Sequence, residues 1–327
     1  MTGSCKPAPA MPSVPTVKRR VSPQQRHWLS LAYLLVMGVS WGLQLVLLKI
    51  AALDGMNEFG ILTISLLMLA PIYGVVLIAR RQAYVPTWRH IWFFLVAGTL
   101  GYTIPLVAVV YAASYLPAGL LALIASLTPV VAIVFAAGLG MERATRVRII
   151  AVVLGLVAAV IVLLGDLALP DAGSWLWVPI AFVVPLAYGL DAIYVSARWP
   201  AELSSLQVVA GEAFISGLVL LPPYLLSGAW ISFGGSWTDG HWAILAFVAV
   251  SLVEAFLFFH LVRTSGAVLV SFGNLVSLVA GIFWGVLIFD ERLPVSAWIA
   301  GVLLAVALVC VAFGARTERD EGEVPAA

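Results

Sequence analysis

The chain is expected to be an all-α integral membrane protein, with ten transmembrane helices arranged as two inverted five-helix repeats. Three observations predict this. Of its 327 residues, 63% are hydrophobic and 10% charged, with a mean hydropathy of +1.09, whereas a soluble domain carries about 25% charged residues. Breaks in hydrophobicity cut the apolar stretch into ten runs, each near the roughly 20 residues a helix needs to cross a bilayer. The sequence also answers itself at an offset of 147 to 149 residues: Ser40-Trp41-Gly42-Leu43-Gln44 matches Ala187-Tyr188-Gly189-Leu190-Asp191, and Gly140-Met141-Glu142-Arg143 matches Phe289-Asp290-Glu291-Arg292.

Residues 1–27 are rich in Pro, Ser, Lys and Arg and read as a disordered basic tail with no apolar face to bury. The run that follows, 28–50, is too long for the hydrophobic region of a signal peptide. It ends at Asp54-Gly55-Met56-Asn57-Glu58. The second run, 59–79, stops at Arg80-Arg81, and the third, 91–112, at the short turn Pro117-Ala118-Gly119. The fourth, 118–140, closes on Glu142-Arg143. The fifth, 147–165, completes a first repeat of 28–165, and Pro170-Asp171-Ala172-Gly173 separates it from a second of 175–314. That second repeat divides into 175–197, 204–226, 242–262, 267–289 and 295–314, and a polar tail of 315–327 ends the chain.

Orientation follows from the basic residues, which favour the cytoplasmic side of a membrane. With a cytoplasmic N-terminus, 15 of the 17 Lys and Arg fall on that side; Arg292 falls opposite and Lys49 lies inside the first span. The opposite loops carry Asp54, Glu58, Asp166, Asp171, Asp239, Asp290 and Glu291. Both termini are therefore placed in the cytoplasm of a multi-pass inner-membrane protein. Five spans per copy is an odd number, so the second copy must be inverted. A net charge of +1 gives no footprint for nucleic acid. Cys5 and Cys310 suggest neither a disulfide framework nor a metal cluster, and no cofactor is expected.

The fourth and ninth spans both present small residues at helical spacing: Ala118, Ala122, Ala125, Ala132 and Ala136 become Ala267, Ser271, Asn274, Gly281 and Gly285 at an offset of 149. Such faces let helices approach closely in lipid, or line a cavity. Trp41-Gly42 in the first span, Pro117-Ala118-Gly119 opening the fourth, Thr128-Pro129 within it and Glu142-Arg143 ending it resemble the EamA-type permeases of the drug/metabolite transporter superfamily. The likeness covers residues 28–314. The second copy departs from it with Ser277-Leu278 in place of Thr128-Pro129, and with Arg263-Thr264-Ser265-Gly266 opening the ninth span. The resemblance implies a ten-helix carrier that moves small organic solutes, often outward, through a central cavity by alternating access.

The residues themselves point to polar groups at lipid depth. Glu212 lies ten residues after Glu202 and Glu254 nine before Arg263, about 13 to 15 Å along a helix. Both fall near the middle of a core about 30 Å thick. A carboxylate there costs at least about 2.5 kcal/mol on insertion scales, so it faces the bundle interior, is paired, or is protonated. Either Glu can serve as counter-charge for a substrate amine or as a proton carrier; the alternative is a protonated side chain bonded to a neighbouring helix. Asp191, nearer the cytoplasmic end and matching Gln44, suits a gate or a local pair with Arg198. Lys49 can snorkel to the surface or meet Asp54. His260 reads as an interfacial residue or a proton relay. Asn274 and Ser277, with Ser271, form a stripe that hydrogen-bonds a solute or joins helices. Trp41, Tyr102 and Tyr188 lie deeper than the interfacial tryptophans, as cavity walls or as core.

Other classes are weaker. The histidines His27, His90, His241 and His260 form no HExxH, and no GxSxG elbow occurs. An intramembrane enzyme is the poorest fit. A channel or facilitator is the main alternative, although no filter motif or charge-lined span supports it. The expected protein is a secondary active transporter for a small organic solute such as an amino acid, an amine or a related metabolite, possessing a cavity between its halves. Its partners would be that solute and the bilayer, with the protein a monomer or homodimer.

Overall fold

Within lipid every backbone polar group must be satisfied inside its own segment or by a neighbour, and the chain answers with helices. The computed structural model describes residues 23–141, 145–164, 173–265 and 267–322. Glu142-Arg143 and Pro170-Asp171-Ala172 lie outside the described residues. The α-helices are α1 (Pro23–Leu53), α2 (Glu58–Ala79), α3 (Trp88–Gly98), α4 (Ile104–Ala113), α5 (Ala118–Ala125), α6 (Thr128–Gly138) and α7 (Arg146–Leu164). They continue with α8 (Trp177–Ala181), α9 (Val183–Arg198), α10 (Ser205–Ser227), α11 (Asp239–Ser265), α12 (Ala267–Phe289) and α13 (Val295–Gly322). No strand occurs among the described residues. Seven helical runs there are long and apolar enough to cross a membrane. The helices extend into both expected tails: α1 begins at Pro23 rather than 28, and α13 runs to Gly322 rather than 314. Pro23 suits a first helical turn, where its missing N–H is not needed, and no Gly-Pro break stops α13 at residue 314.

Three prolines stand where long runs are interrupted, while Pro71 of α2 and Pro222-Pro223 of α10 lie within unbroken helices. A proline supplies no N–H and its ring meets the carbonyl four residues earlier. Pro105 does this to Gly101, and the third run opens there into a π-helical turn, Thr99–Thr103, between α3 and α4. Pro129 does it to Ala125, where α5 ends before α6 resumes. Pro185 does it to Ala181, the last residue of α8. Position 277, which matches Thr128 at the repeat offset, is followed by Leu278 rather than proline, and α12 is unbroken. The hydroxyls at the α5–α6 break turn inward on the chain: Ser126 donates to the Ala122 carbonyl at 2.7 Å and Thr128 to that of Ala125 at 2.7 Å.

Helix pairing follows the small residues. α1 packs along both α11 and α12, α9 against α4 and α6, α2 against α10, α5 against α12, and α7 against α13. At the α1–α12 crossing, a Cβ on Gly42 would sit 2.6 Å from the Gly281 nitrogen, and one on Gly281 would sit 2.3 Å from the Ala122 Cβ. α1, α5 and α12 thus meet at a point where only glycine and alanine fit. Gly281→Val is expected to strain this contact by about 1–3 kcal/mol; a melting temperature unchanged from wild type in detergent would refute that.

One core brings together Leu48 of α1, Leu62 and Leu66 of α2, Val109 of α4, Ala213 of α10 and Ile244 of α11, with Tyr102 and Tyr188 against it. A second joins α5, α7, α12 and α13 through Leu121, Ala158, Leu278 and Ala300. The first encloses the polar residues described below.

Outside the bilayer segments, α3 starts with a reciprocal cap: Thr87 accepts from the His90 amide, and His90 Nδ1 accepts from the Thr87 amide. With Nδ1 accepting, Nε2 carries the proton and donates to Glu202 at 2.8 Å. That bond holds the exposed Glu202 carboxyl below its usual value of 4.5. A depressed carboxyl stabilises the fold above its unfolded pKa and loses that effect as pH falls through the folded value. His90→Phe should flatten the acid limb of a plot of melting temperature against pH below about 4.5, where wild type declines.

Candidate functional site

Asp191 and Glu212 reach the broken third run, and Glu254 stands on α11 where it packs along α1. Glu254, on α11, stands beside Trp41 and Gln44 of α1. Trp41 and Gln44 are three residues apart and so share a helix face, and Ser251, three before Glu254, accepts from Gln44 Nε2 at 3.3 Å. The Gln44–Ser251 bond thereby joins α1 to α11 in an apolar surround. Tyr102 of the π-turn lies within electrostatic reach of Glu254, Glu212, Tyr73 and Tyr188. Tyr188 lies within reach of both Glu254 and Asp191.

Asp191 and Glu212 flank the π-turn. A Cβ on Gly101 would stand 2.9 Å from Asp191 Oδ2, and one on Gly98 would stand 3.0 Å from the Glu212 carbonyl and 2.4 Å from Ser216 Oγ. The two glycines therefore let α9 and α10 bring their polar side chains onto the third run. Glu212 is 7% exposed and within electrostatic reach of Asp191. Asp191 Oδ1, Ser216 Oγ and Thr103 Oγ1 are buried with no hydrogen-bond partner. Asp191 was expected near a cytoplasmic gate or paired with Arg198; instead it joins the carboxylate cluster while Arg198 is exposed. The cause is Gly101, which leaves room for its carboxylate beside the π-turn. Among the described residues none of the three acids has an ion-pair partner.

A cavity of about 610 Å³ opens between α2, the chain after Arg80, the start of α10, and α11; its walls include Tyr73, Arg80, Gln82, Ser204, Leu252 and His260. Tyr73, at its inner wall, is within electrostatic reach of Glu254. The opening is at the end of the bundle bearing Arg80, Arg81 and Arg198. His260 stands there with Tyr33 edge-on at 5.2 Å and Phe256 stacked at 6.1 Å.

The opposite end is tied shut. Lys49 neither snorkels nor meets Asp54. It is 8% exposed, pairs with Glu291 at 2.6 Å, donates to the Leu116 carbonyl at 2.9 Å and lies 4.7 Å from the Phe289 ring centre. Glu291 also accepts from the Ala118 and Gly119 amides at 2.6 and 3.0 Å, capping the start of α5. Asp54 turns to α11 and accepts from Thr238. Asn274 and Ser277 lie on α12 opposite the α5–α6 break, where the Asn274 carbonyl accepts from Ser126 at 3.4 Å. The Ser271 side chain lies outside the described residues.

Sequence reasoning missed Tyr73, Ser216, Ser251 and Glu291. Ser251 and Ser216 each lie one helical turn from a midplane carboxylate, a spacing that could have flagged them. Tyr73 and Glu291 depend on which helices become neighbours.

Residues 28–164 match the EamA-like transporter family, so the resemblance carried by Trp41-Gly42, Pro117-Ala118-Gly119 and Thr128-Pro129 holds over that segment. The chain is similar to protein PecM of Dickeya dadantii (strain 3937), with 25% identity over 241 residues, covering 73% of this chain and 78% of that one. It also shares its fold with a solved crystal structure, at a TM-score of 0.61 and 18% identity, covering 88% of this chain and 98% of the other.

Proposed function

We propose that the whole chain, beyond the matched segment, is an EamA-type secondary carrier that moves a small organic solute through a central cleft by alternating access, coupled to protons. Its architecture on this reading is ten spans in two inverted repeats, 28–165 and 175–314, with both termini cytoplasmic. The helix pairing supports the inverted repeat, because exchanging the copies maps it onto itself: the first span meets the eighth and ninth as the sixth meets the third and fourth. The second meets the seventh, the fourth the ninth, and the fifth the tenth. A two-fold axis in the membrane plane has this effect.

The observation that carries the function is that Asp191, Glu212 and Glu254 lie in the apolar bundle with no ion-pair partner among the described residues. Uncompensated carboxylates at lipid depth need a counter-ion, and a proton or a cationic group of the solute supplies one. The cleft on the Arg80 side and the Lys49–Glu291 tie on the other favour a carrier caught open to the cytoplasm over a channel, which needs one continuous path. The full chain in proteoliposomes tests this with labelled amino acids and amines under an imposed pH gradient. Saturable uptake with counterflow is expected, whereas flux that neither saturates nor shows counterflow would leave the channel reading in its place.

A further inference from the structure

We propose that the cleft on the Arg80 side binds an amphipathic organic anion, a small carboxylate whose apolar body lies between α2 and α11 while its charged group stays at the mouth. This rests on the carrier reading and names the substrate class of the same cleft.

The walls of the cavity divide by depth. α2 ends in Arg80 at the mouth, with Val76 and Ile72 one and two turns further in, about 6 and 12 Å along the helix. α11 repeats the order, with His260 at the mouth and Phe256 and Leu252 behind it, and α10 runs from Ser204 and Ser205 inward to Val209. A cavity of about 610 Å³ suits a small organic molecule. Ile72 and Phe256 are exposed within apolar runs long enough to cross a membrane, so the inner part of the cavity borders hydrocarbon. Water there would find few polar partners, whereas an apolar body fits.

The mouth is built of donors. Arg80 is its fixed charge, and no acid lines the cavity among the described residues. Gln82 is held from α10: its Oε1 accepts from Ser204 Oγ at 3.2 Å and its carbonyl from Gln207 Nε2 at 2.8 Å. Its side-chain nitrogen makes no hydrogen bond among the described residues and faces no competing acceptor of its own pair. The first turn of α10 adds to these, because its opening amides have no carbonyl within the helix. The capping box of Ser204 and Gln207 uses the amides of those two residues and leaves the amides of Ser205 and Leu206, which both line the cavity. A guanidinium, an amide nitrogen and a helix start on one cavity rim favour a carboxylate. An ammonium meets donors and a like charge.

The test compares 4-phenylbutanoate, 4-phenylbutylamine and acetate as ligands of the full-length protein in detergent, read as a rise in melting temperature. The aromatic carboxylate should reach half-maximal stabilisation at a concentration at least tenfold below the amine, and acetate, which lacks the apolar body, should do nothing. Arg80→Gln, at an exposed position that folding does not depend on, should raise that concentration about tenfold. Arg198→Gln removes an exposed charge at the same end but outside the cavity, and should leave the concentration within about twofold. Val76→Trp fills the apolar part and should abolish the stabilisation with Arg80 still present. Equal potency of carboxylate and amine, equal losses in Arg80→Gln and Arg198→Gln, or undiminished potency in Val76→Trp overturns the inference. Arg80-dependent stabilisation by phosphatidylglycerol, with none by 4-phenylbutanoate, also overturns it by giving the cleft to a lipid. If other solutes show counterflow in proteoliposomes while 4-phenylbutanoate neither binds nor competes, the inference fails and the carrier reading stands. If 4-phenylbutanoate binds with the stated dependence on Arg80 and no solute moves, the binding site stands and the carrier reading fails.

Discussion

Glu254→Gln should lower solute transport at least tenfold, and Glu212→Gln by as much, with both variants inserted and folded at wild-type levels. A glutamine keeps the volume and most of the contacts of glutamate but carries no charge, and half of its head group donates rather than accepts. Hydrogen bonds to a charged partner are worth about 1.5–3 kcal/mol, which converts to roughly ten- to a hundredfold in affinity. For Glu254 the change also places an amide beside Trp41 and Gln44 of α1. Insertion should not suffer, because removing a charge from the bilayer centre makes the segment easier to bury. Initial uptake rates in proteoliposomes, normalised to protein recovered in the membrane, decide the matter; wild-type rates in either variant would remove that residue from the site. Trp41→Phe supplies a finer control. It keeps an aromatic ring near Glu254 and deletes the indole N–H, so its loss should be smaller than that of Glu254→Gln.

Much of this arrangement was legible in the sequence because lipid imposes simple rules. A helix must be about 20 residues long to cross, and the apolar runs 59–79 and 267–289 reappear almost unchanged as Glu58–Ala79 and Ala267–Phe289. Charge at lipid depth is rare enough that Glu212 and Glu254 stood out. What the sequence withheld was the neighbourhood of each face. Asp191 looked like part of a gate because Arg198 lies seven residues on, yet Gly101 of a different span determines its surroundings. Lys49 looked like an interfacial residue because it sits near the end of a span, and its partner is 242 positions away. The π-turn was not anticipated: a proline such as Pro105 weakens the turn before it, yet Pro71, Pro222 and Pro223 sit in unbroken helices.

Breaking the Lys49–Glu291 pair should open the far end of the protein. The Glu291 carboxylate is fixed from three directions: Lys49 Nζ at 2.6 Å, the Ala118 amide at 2.6 Å and the Gly119 amide at 3.0 Å. Its approach depends on two local features. Asp290 takes a left-handed conformation, with φ of 52°, which folds the chain back at the end of α12. Gly285 has no Cβ, and one placed there would lie 2.4 Å from Glu291 Oε2. Glu291→Gln leaves the Lys49 ammonium buried beside a neutral amide, and removing one partner of a buried pair costs about 3–5 kcal/mol. The cost falls on the state in which this end is closed, so the population should move toward the state in which it is open, by tenfold or more. A cysteine at Leu116, which is 1% exposed here, in a background lacking Cys5 and Cys310, should react with an impermeant maleimide at least tenfold faster in Glu291→Gln than in its parent. Lys49→Met combined with Glu291→Gln should cost less than the two single changes added, since the second removes the charge that the first orphans. Exchanging the two charges should not restore closure, because a lysine at 291 would face the Ala118 and Gly119 amides, donor against donor. Equal labelling in parent and variant, or full recovery in the exchanged pair, would show that the tie is not what holds this end closed.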